Sequence, residues 1–189
     1  MYIQTTVRYI SAVSVIYDRL RRCKKVYNIG DKVVYPMHGA GVIEAIEDKI
    51  ILGKKQSYYI MRMALSGDMT VMIPLQSCDE IGVRFVIDKN EGEKVLEAFR
   101  KAPVEDNSNW NKRHRDNMQK IKTGDIYQVL GVVKELMYRD KSKGLSTSER
   151  KMLNNAKQIM VSELVLSKVA GRGDIESIML DTVDELFNG

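Results

Sequence analysis

The sequence predicts an α+β chain, a small antiparallel β-barrel followed by a five-helix domain, and three observations carry that prediction. Between Val26 and Cys78 apolar residues recur with a period of two, in short runs punctuated by turns. From Asp88 onward the period becomes helical. The helical half also carries end signals in the right places, with Asn109, Asp125 and Ser146 ahead of apolar stripes and Gly124 and Gly144 behind them.

In the first half, Lys32-Val33-Val34-Tyr35 reads as a strand that runs into Pro36, a residue unable to donate to a central ladder. The glycine-rich turn His38-Gly39-Ala40-Gly41 leads into a strand over 41–47. Ile50-Ile51-Leu52 leads to a turn at Gly53-Lys54-Lys55-Gln56, and 57–63 is rich in aromatic and aliphatic strand formers. After Ser66-Gly67-Asp68, the run 69–74 completes four or five short strands. Such strands within residues 26–79 suit an SH3/Tudor-like barrel. Its interior is too small for a substrate pocket, whereas its strand edges suit strand addition to a partner. His38 has no neighbours at metal-ligand spacing and reads as a turn residue; no metal site is expected.

In the second half, residues 80–189, Val95, Leu96 and Phe99 line a first helix that stops before Pro103. An acidic connector spans 103–108. Asn109 caps a second helix carrying Trp110, Arg113, Met118 and Ile121, which closes at Gly124. Asp125 caps a third, with Val129, Leu130, Val133 and Leu136 on one face. Ser146-Thr147-Ser148-Glu149 is a capping box opening a longer fourth helix with Leu153, Ala156, Ile159 and Met160 inside. Gly171 and Gly173 precede a fifth, with Ile175, Met179 and Val183 on its apolar side.

The net charge of +5 is unevenly spread. Residues 1–25 hold six cations and one acid, leaving 24 of the 30 basic and 24 of the 25 acidic residues for the rest of the chain. Global basicity therefore rests on this leader alone. Its charges follow its apolar run instead of preceding it, a poor signal-peptide pattern. A basic amphipathic helix is one reading. The preferred one is a mis-assigned start, with Val26 as the true first residue, since a valine codon also serves as a bacterial start and Arg21-Arg22-Cys23 can be encoded by a purine-rich ribosome-binding sequence. Intact mass of the native protein decides between them. The two cysteines, Cys23 and Cys78, form neither a disulfide framework nor a metal motif, so a reducing cytoplasm is expected. No apolar run approaches the roughly 20 residues of a membrane span, and no membrane partner is expected.

The local charge pattern is more telling. Residues 107–157 carry twelve cations against five acids, whereas 173–189 carry five acids and no cation. Within the basic window sits Trp110, the single tryptophan, in Asn109-Trp110-Asn111-Lys112-Arg113-His114-Arg115. A Trp packed in a core normally has apolar sequence neighbours, and this one has polar and charged ones. Two readings stand: a helix-start Trp packing on an adjacent helix, or an aromatic wedge beside phosphate-binding cations. In the second, Lys112, Arg113 and Arg115, with Arg139, Lys141, Lys143, Arg150 and Lys151 at helix ends, converge as phosphate clamps around the ring. Apolar wedges unstack base steps from the minor groove with little base-specific readout.

Both halves together resemble the CarD/CdnL family of bacterial transcription regulators, over about residues 27–187. The residues that carry the resemblance are Gly30-Asp31-Lys32-Val33-Val34-Tyr35-Pro36 with His38-Gly39-Ala40, then Asn109-Trp110 with Arg113, then Arg139-Asp140, Lys143-Gly144-Leu145-Ser146, Lys151-Met152-Leu153 and Ala156-Lys157-Gln158-Ile159. Transcription-repair coupling factors carry a module like the first block; the combination in one chain is far more specific. The resemblance implies a Tudor-like domain that binds the RNA polymerase β subunit and a helical domain that contacts promoter DNA without sequence specificity. It implies that Trp110 wedges into the minor groove at the upstream edge of the melted −10 region, with Arg113, Arg115, Arg139 and Arg150 at DNA contacts. On the polymerase side it implies Lys49, with Met72 and Pro74 on the same barrel; Met72 stands where some relatives carry arginine.

The expected function is a non-enzymatic, monomeric regulator that docks on RNA polymerase and stabilises the open promoter complex, needing no cofactor. Without the leader the chain is neutral, so tethering to polymerase, more than free DNA affinity, delivers the ring to promoters. An alternative is an interaction adaptor that uses the barrel edge and touches no DNA. An enzyme is disfavoured by the lack of a phosphate loop, a metal cluster or a nucleophile elbow.

Overall fold

A computed structural model describes residues 26–104 and 109–188. The leader 1–25 and most of the acidic connector lie outside the described residues. Five strands form one antiparallel sheet: β1 (Lys32–Tyr35), β2 (Gly39–Ile51), β3 (Lys54–Met63), β4 (Thr70–Pro74) and β5 (Arg84–Phe85), in the order β4-β3-β2-β1-β5. β4 and β5 are its two edges and do not pair with each other, so the sheet is open rather than a closed barrel. A 3-10 turn (Leu75–Ser77) and a one-turn helix, α1 (Cys78–Ile81), connect β4 to β5. The sheet therefore ends at Phe85, beyond the boundary at residue 79 that the sequence suggested.

β2 and β3 are continuous where the sequence suggested interruptions. They meet at Leu52-Gly53, both at positive φ (52° and 75°), the geometry of a two-residue hairpin turn whose twist matches its strands. A register shift between Ile43 and Ala45 bulges β2 at Glu44 and bends the sheet. One face is the core, with Val33, Ile43, Tyr59, Met61 and Ile73 joined by Tyr27 and Val83. Tyr27 donates from its hydroxyl to the Val83 carbonyl at 2.7 Å, and burial pushes this phenol up to about 12.

Five longer helices follow: α2 (Lys89–Lys101), α3 (Trp110–Lys122), α4 (Ile126–Ser142), α5 (Thr147–Leu166) and α6 (Arg172–Asn188). Among the described residues there are thus six α-helices, five in the helical half as expected and one short addition in the sheet half. The three caps read from the sequence all form. Asn109 Oδ1 accepts from the Lys112 amide, Asp125 Oδ1 from those of Tyr127 and Gln128, and Ser146 and Glu149 close a full capping box. One apolar core joins α2 to α6, centred on Phe99, Val133, Leu136, Ile159, Met160 and Leu164.

The two halves are clamped together along α5. Gly39, at φ 105°, lets β2 come so close that an added Cβ would sit 2.7 Å from Ser162 Oγ. The Ala40 amide donates to that same oxygen at 2.8 Å, and Lys32 Nζ donates to the Leu166 carbonyl at 2.8 Å. Arg84, on β5, forks onto the Glu163 carboxylate and also donates to the Gly124 carbonyl at 2.7 Å. Glu163 is 0 % exposed, so its carboxylate depends on Arg84, whose side chain stays 26 % exposed, for its charge partner. Met37 and Leu65 from the sheet half add apolar contact to the helical core.

Candidate nucleic-acid and polymerase interfaces

Trp110 occupies the first helical position of α3, directly after its Asn109 cap. It is 43 % exposed, a large apolar ring left half in water. One face rests on His114, four residues on and so on the same side of the helix, with ring centroids 5.3 Å apart and tilted by 31°. Its indole Nε1 donates to Ser146 Oγ at 3.4 Å. The ring thus packs against a neighbouring helix, α5, through polar groups at its N-terminus and still presents an open edge. The contact with α5 is the packing of the first sequence reading, and the open edge is what a wedge requires.

Directly beneath lies a buried charge cluster. Glu149, the acid of the capping box, accepts from Arg113 Nε at 2.9 Å and from the Ser146 hydroxyl and amide at 2.8 and 3.1 Å. Arg139 Nε lies 3.8 Å from the same carboxylate. Burial opposes the charge on Glu149, but the hydrogen bonds from Arg113 and Ser146 outweigh it and hold the carboxyl below the usual glutamate value.

This arrangement corrects one expectation. Arg113, expected from the sequence as a DNA contact, is 3 % exposed and its guanidinium is spent on Glu149. A capping-box carboxylate this deep needs a buried cation to stay charged, and Arg113 supplies it. Arg139 is mostly buried too, its Nε facing the same carboxylate oxygen as Arg113. Lys134, one of the twelve cations counted around Trp110, is also interior. Its ammonium donates to the carbonyls of Phe99, Arg100 and Ala102 at 2.7, 3.0 and 2.6 Å, ending α2, and burial lowers its pKa. The positive field around the ring is smaller than the sequence suggests.

The remaining expected contacts are exposed but do not form one face. At about 100° per residue, Lys112 and Arg115 project from α3 about 140–160° away from Trp110. Arg115 lies 3.4 Å from Asp116. Arg150 and Lys151 stand on the first turns of α5, near the ring's side; Arg150 pairs with Asp140 at 3.2 Å, and Lys151 lines a cavity of about 240 Å³ with His114 and Ser148. His114 and Ser146 are the ring's neighbours, and Ser148 holds His114; none of the three is among the site residues expected from the sequence. The i,i+4 spacing of Trp110 and His114 was the available signal.

On the sheet, the register places the three expected polymerase residues on one face. Lys49 pairs with Gln56, while Met72 and Pro74 pair with Ile60 and Tyr58. All three face away from the sheet core, with Met72 and Pro74 on the edge strand β4, which pairs with β3 on its inner side. Lys49 is partly engaged by Glu47 at 2.5 Å. Among the described residues, no group of three or more His, Cys, Asp or Glu is placed to hold a metal, and no helix is long and apolar enough to cross a membrane.

Comparison with known proteins now places both halves. Residues 27–87 match the CarD-like/TRCF RID domain, and residues 94–180 match the CarD, C-terminal domain. The chain is 42 % identical over 152 residues to the Bacillus subtilis (strain 168) protein YdeB, which is named as a transcription factor; that stretch is 80 % of this chain and 99 % of YdeB. The chain belongs to the CarD family. CarD-family proteins are non-enzymatic transcription regulators, and the RID domain type is an RNA polymerase-interaction domain. The first match, ending at 87, takes in the whole sheet, whose last strand ends at Phe85.

Proposed function

We propose that this CarD-family chain docks through its RID sheet on the RNA polymerase β subunit and stabilises the open promoter complex by wedging Trp110 into the minor groove upstream of the −10 region. The observation that carries the reading is the half-exposed Trp110 ring, held at a helix start on a body that also carries the RID sheet. The outward face of β2 to β4, with Lys49, Met72 and Pro74, is the docking surface. Arg150 and Lys151 supply phosphate contacts beside the ring, Lys112 and Arg115, projecting from the other side of α3, can do so only away from the wedged step, and Arg113 and Arg139 serve indirectly by keeping Glu149 charged. Differential binding is enough: a ring that prefers opened DNA by about 1.4 kcal/mol shifts the open/closed ratio tenfold. The protein acts as a monomer in the cytoplasm, at promoters through polymerase. The test is open-complex lifetime with purified polymerase. Wild type lengthens it and Trp110→Ala does not; equal lifetimes would sink the wedge.

A second reading is an adaptor that touches only protein. The pairing of Arg150 with Asp140 and of Arg115 with Asp116 favours it, because paired cations offer less to phosphate. Fork-junction DNA binding at several salt concentrations separates the two. Each phosphate neutralised contributes a slope of about −0.9 in log affinity against log salt on duplex DNA, so a wedge with phosphate contacts gives a steep line and an adaptor gives no measurable binding.

A further inference from the structure

We propose that the first turn of α5 is a positioning device for Trp110, with Ser146 fixing the ring's edge and Ser148 fixing its face through His114. The inference rests on the wedge reading above and adds residues to it. A tryptophan side chain has two rotatable angles, so two restraints on different sides of the ring suffice to set it. The first is the indole N–H to Ser146 Oγ at 3.4 Å. A serine hydroxyl has one proton and two lone pairs, and here all three are committed. The proton goes to Glu149 Oε2 at 2.8 Å, and the lone pairs receive the Glu149 amide at 3.3 Å and the indole. Ser146 is therefore not a free rotor, and Glu149, gripped by Arg113, anchors it in turn.

The second restraint is the His114 ring, 5.3 Å from the Trp110 ring. It lacks freedom of its own, because its Nε2 lies 3.1 Å from Ser148 Oγ, two residues after Ser146. Ser146 and Ser148 belong to one rigid turn, so both restraints share a frame. The indole N–H, the ring's only polar group, is turned toward the protein. What remains open is hydrocarbon edge, which suits insertion between bases without reading them. Ordering the ring in advance removes a cost that would otherwise fall on binding.

The single tryptophan makes the idea measurable on the full chain, since all indole fluorescence arises from Trp110. His114 is half-buried on the outer side of α3 and its side chain meets Trp110 and Ser148, so its substitution is expected to leave the fold in place, checked by an unchanged far-UV circular dichroism spectrum. In His114→Ala the indole anisotropy is expected to fall and open-complex lifetime to shorten severalfold. His114→Phe, which keeps a flat ring beneath Trp110, is expected to recover most of both. Ser148→Ala is expected to give an intermediate loss. If Trp110→Ala shortens the lifetime but His114→Ala matches wild type in lifetime and anisotropy, the positioning device is overturned and the wedge stands. If Trp110→Ala itself leaves the lifetime unchanged, the wedge falls and the positioning role with it.

Discussion

At the scale of single residues, the chemistry that was hardest to foresee is the pairing of charges across long sequence separations. Arg113 and Glu149 are 36 residues apart, and each looks like an ordinary surface residue in its own helix. Only the packing of α3 on α5 reveals that they neutralise one another in the interior. Removing one partner of such a pair leaves a buried charge, so Glu149→Gln is expected to cost about 3 kcal/mol or more, read by denaturant titration. The pH dependence follows from the same hydrogen bonds. Glu149 has a lower pKa folded than unfolded, so its stabilisation is complete above the unfolded value of about 4.3 and fades as pH falls through the folded value. The stability gap between wild type and Glu149→Gln is expected to close on acidification below that range. Lys134→Met leaves three carbonyls without a donor and is expected to destabilise by about 1–3 kcal/mol, while the salt slope of DNA binding stays unchanged because the ammonium never reaches the surface.

At the scale of elements, much was legible because local signals suffice there. Asn109, Asp125 and Ser146 cap the helices they precede because a short polar side chain satisfies amides two or three residues on, a contact that needs no tertiary partner. The strand pattern was equally local, since alternation follows from a sheet buried on one side. What escaped notice was short or relational. β5 is two residues long, too brief for any period, and exists because it completes the edge beside β1. The expected DNA contacts form a set in the sequence because they share a basic stretch, but a helix scatters neighbours around its axis, which sends Lys112 and Arg115 away from Trp110. Gly39 is the element-level residue most open to test. At φ 105°, with Ser162 Oγ in the way, Gly39→Ala carries both backbone strain and a clash. A loss of about 1–3 kcal/mol from strain alone lowers Tm by several degrees, measurable by calorimetry.

At the scale of the whole molecule, the sheet and the helical half are joined by hydrogen bonds and a buried ion pair rather than by a hinge. Ala40 to Ser162, Lys32 to Leu166 and Arg84 to Glu163 all land on α5 or its last residue. α5 also begins at the Trp110 site. One helix therefore runs from the ring to the sheet. The native chain is expected to unfold in one calorimetric transition. Arg84→Ala, which strands Glu163, is expected to split it into two or to lower Tm sharply; an unchanged single transition would show that the clamp contributes little.

The unbroken span of α5 has a further meaning for a protein that is nearly neutral beyond its first 25 residues. A ring on a loose tether samples a large volume, and its effective concentration at any one base step is diluted by every arrangement that misses. In the proposed complex, a ring carried on a stiff arm would have its address set the moment the sheet docked. Promoters would then be sorted by where their DNA runs relative to a fixed point on polymerase, and the protein would act as a gauge with one setting.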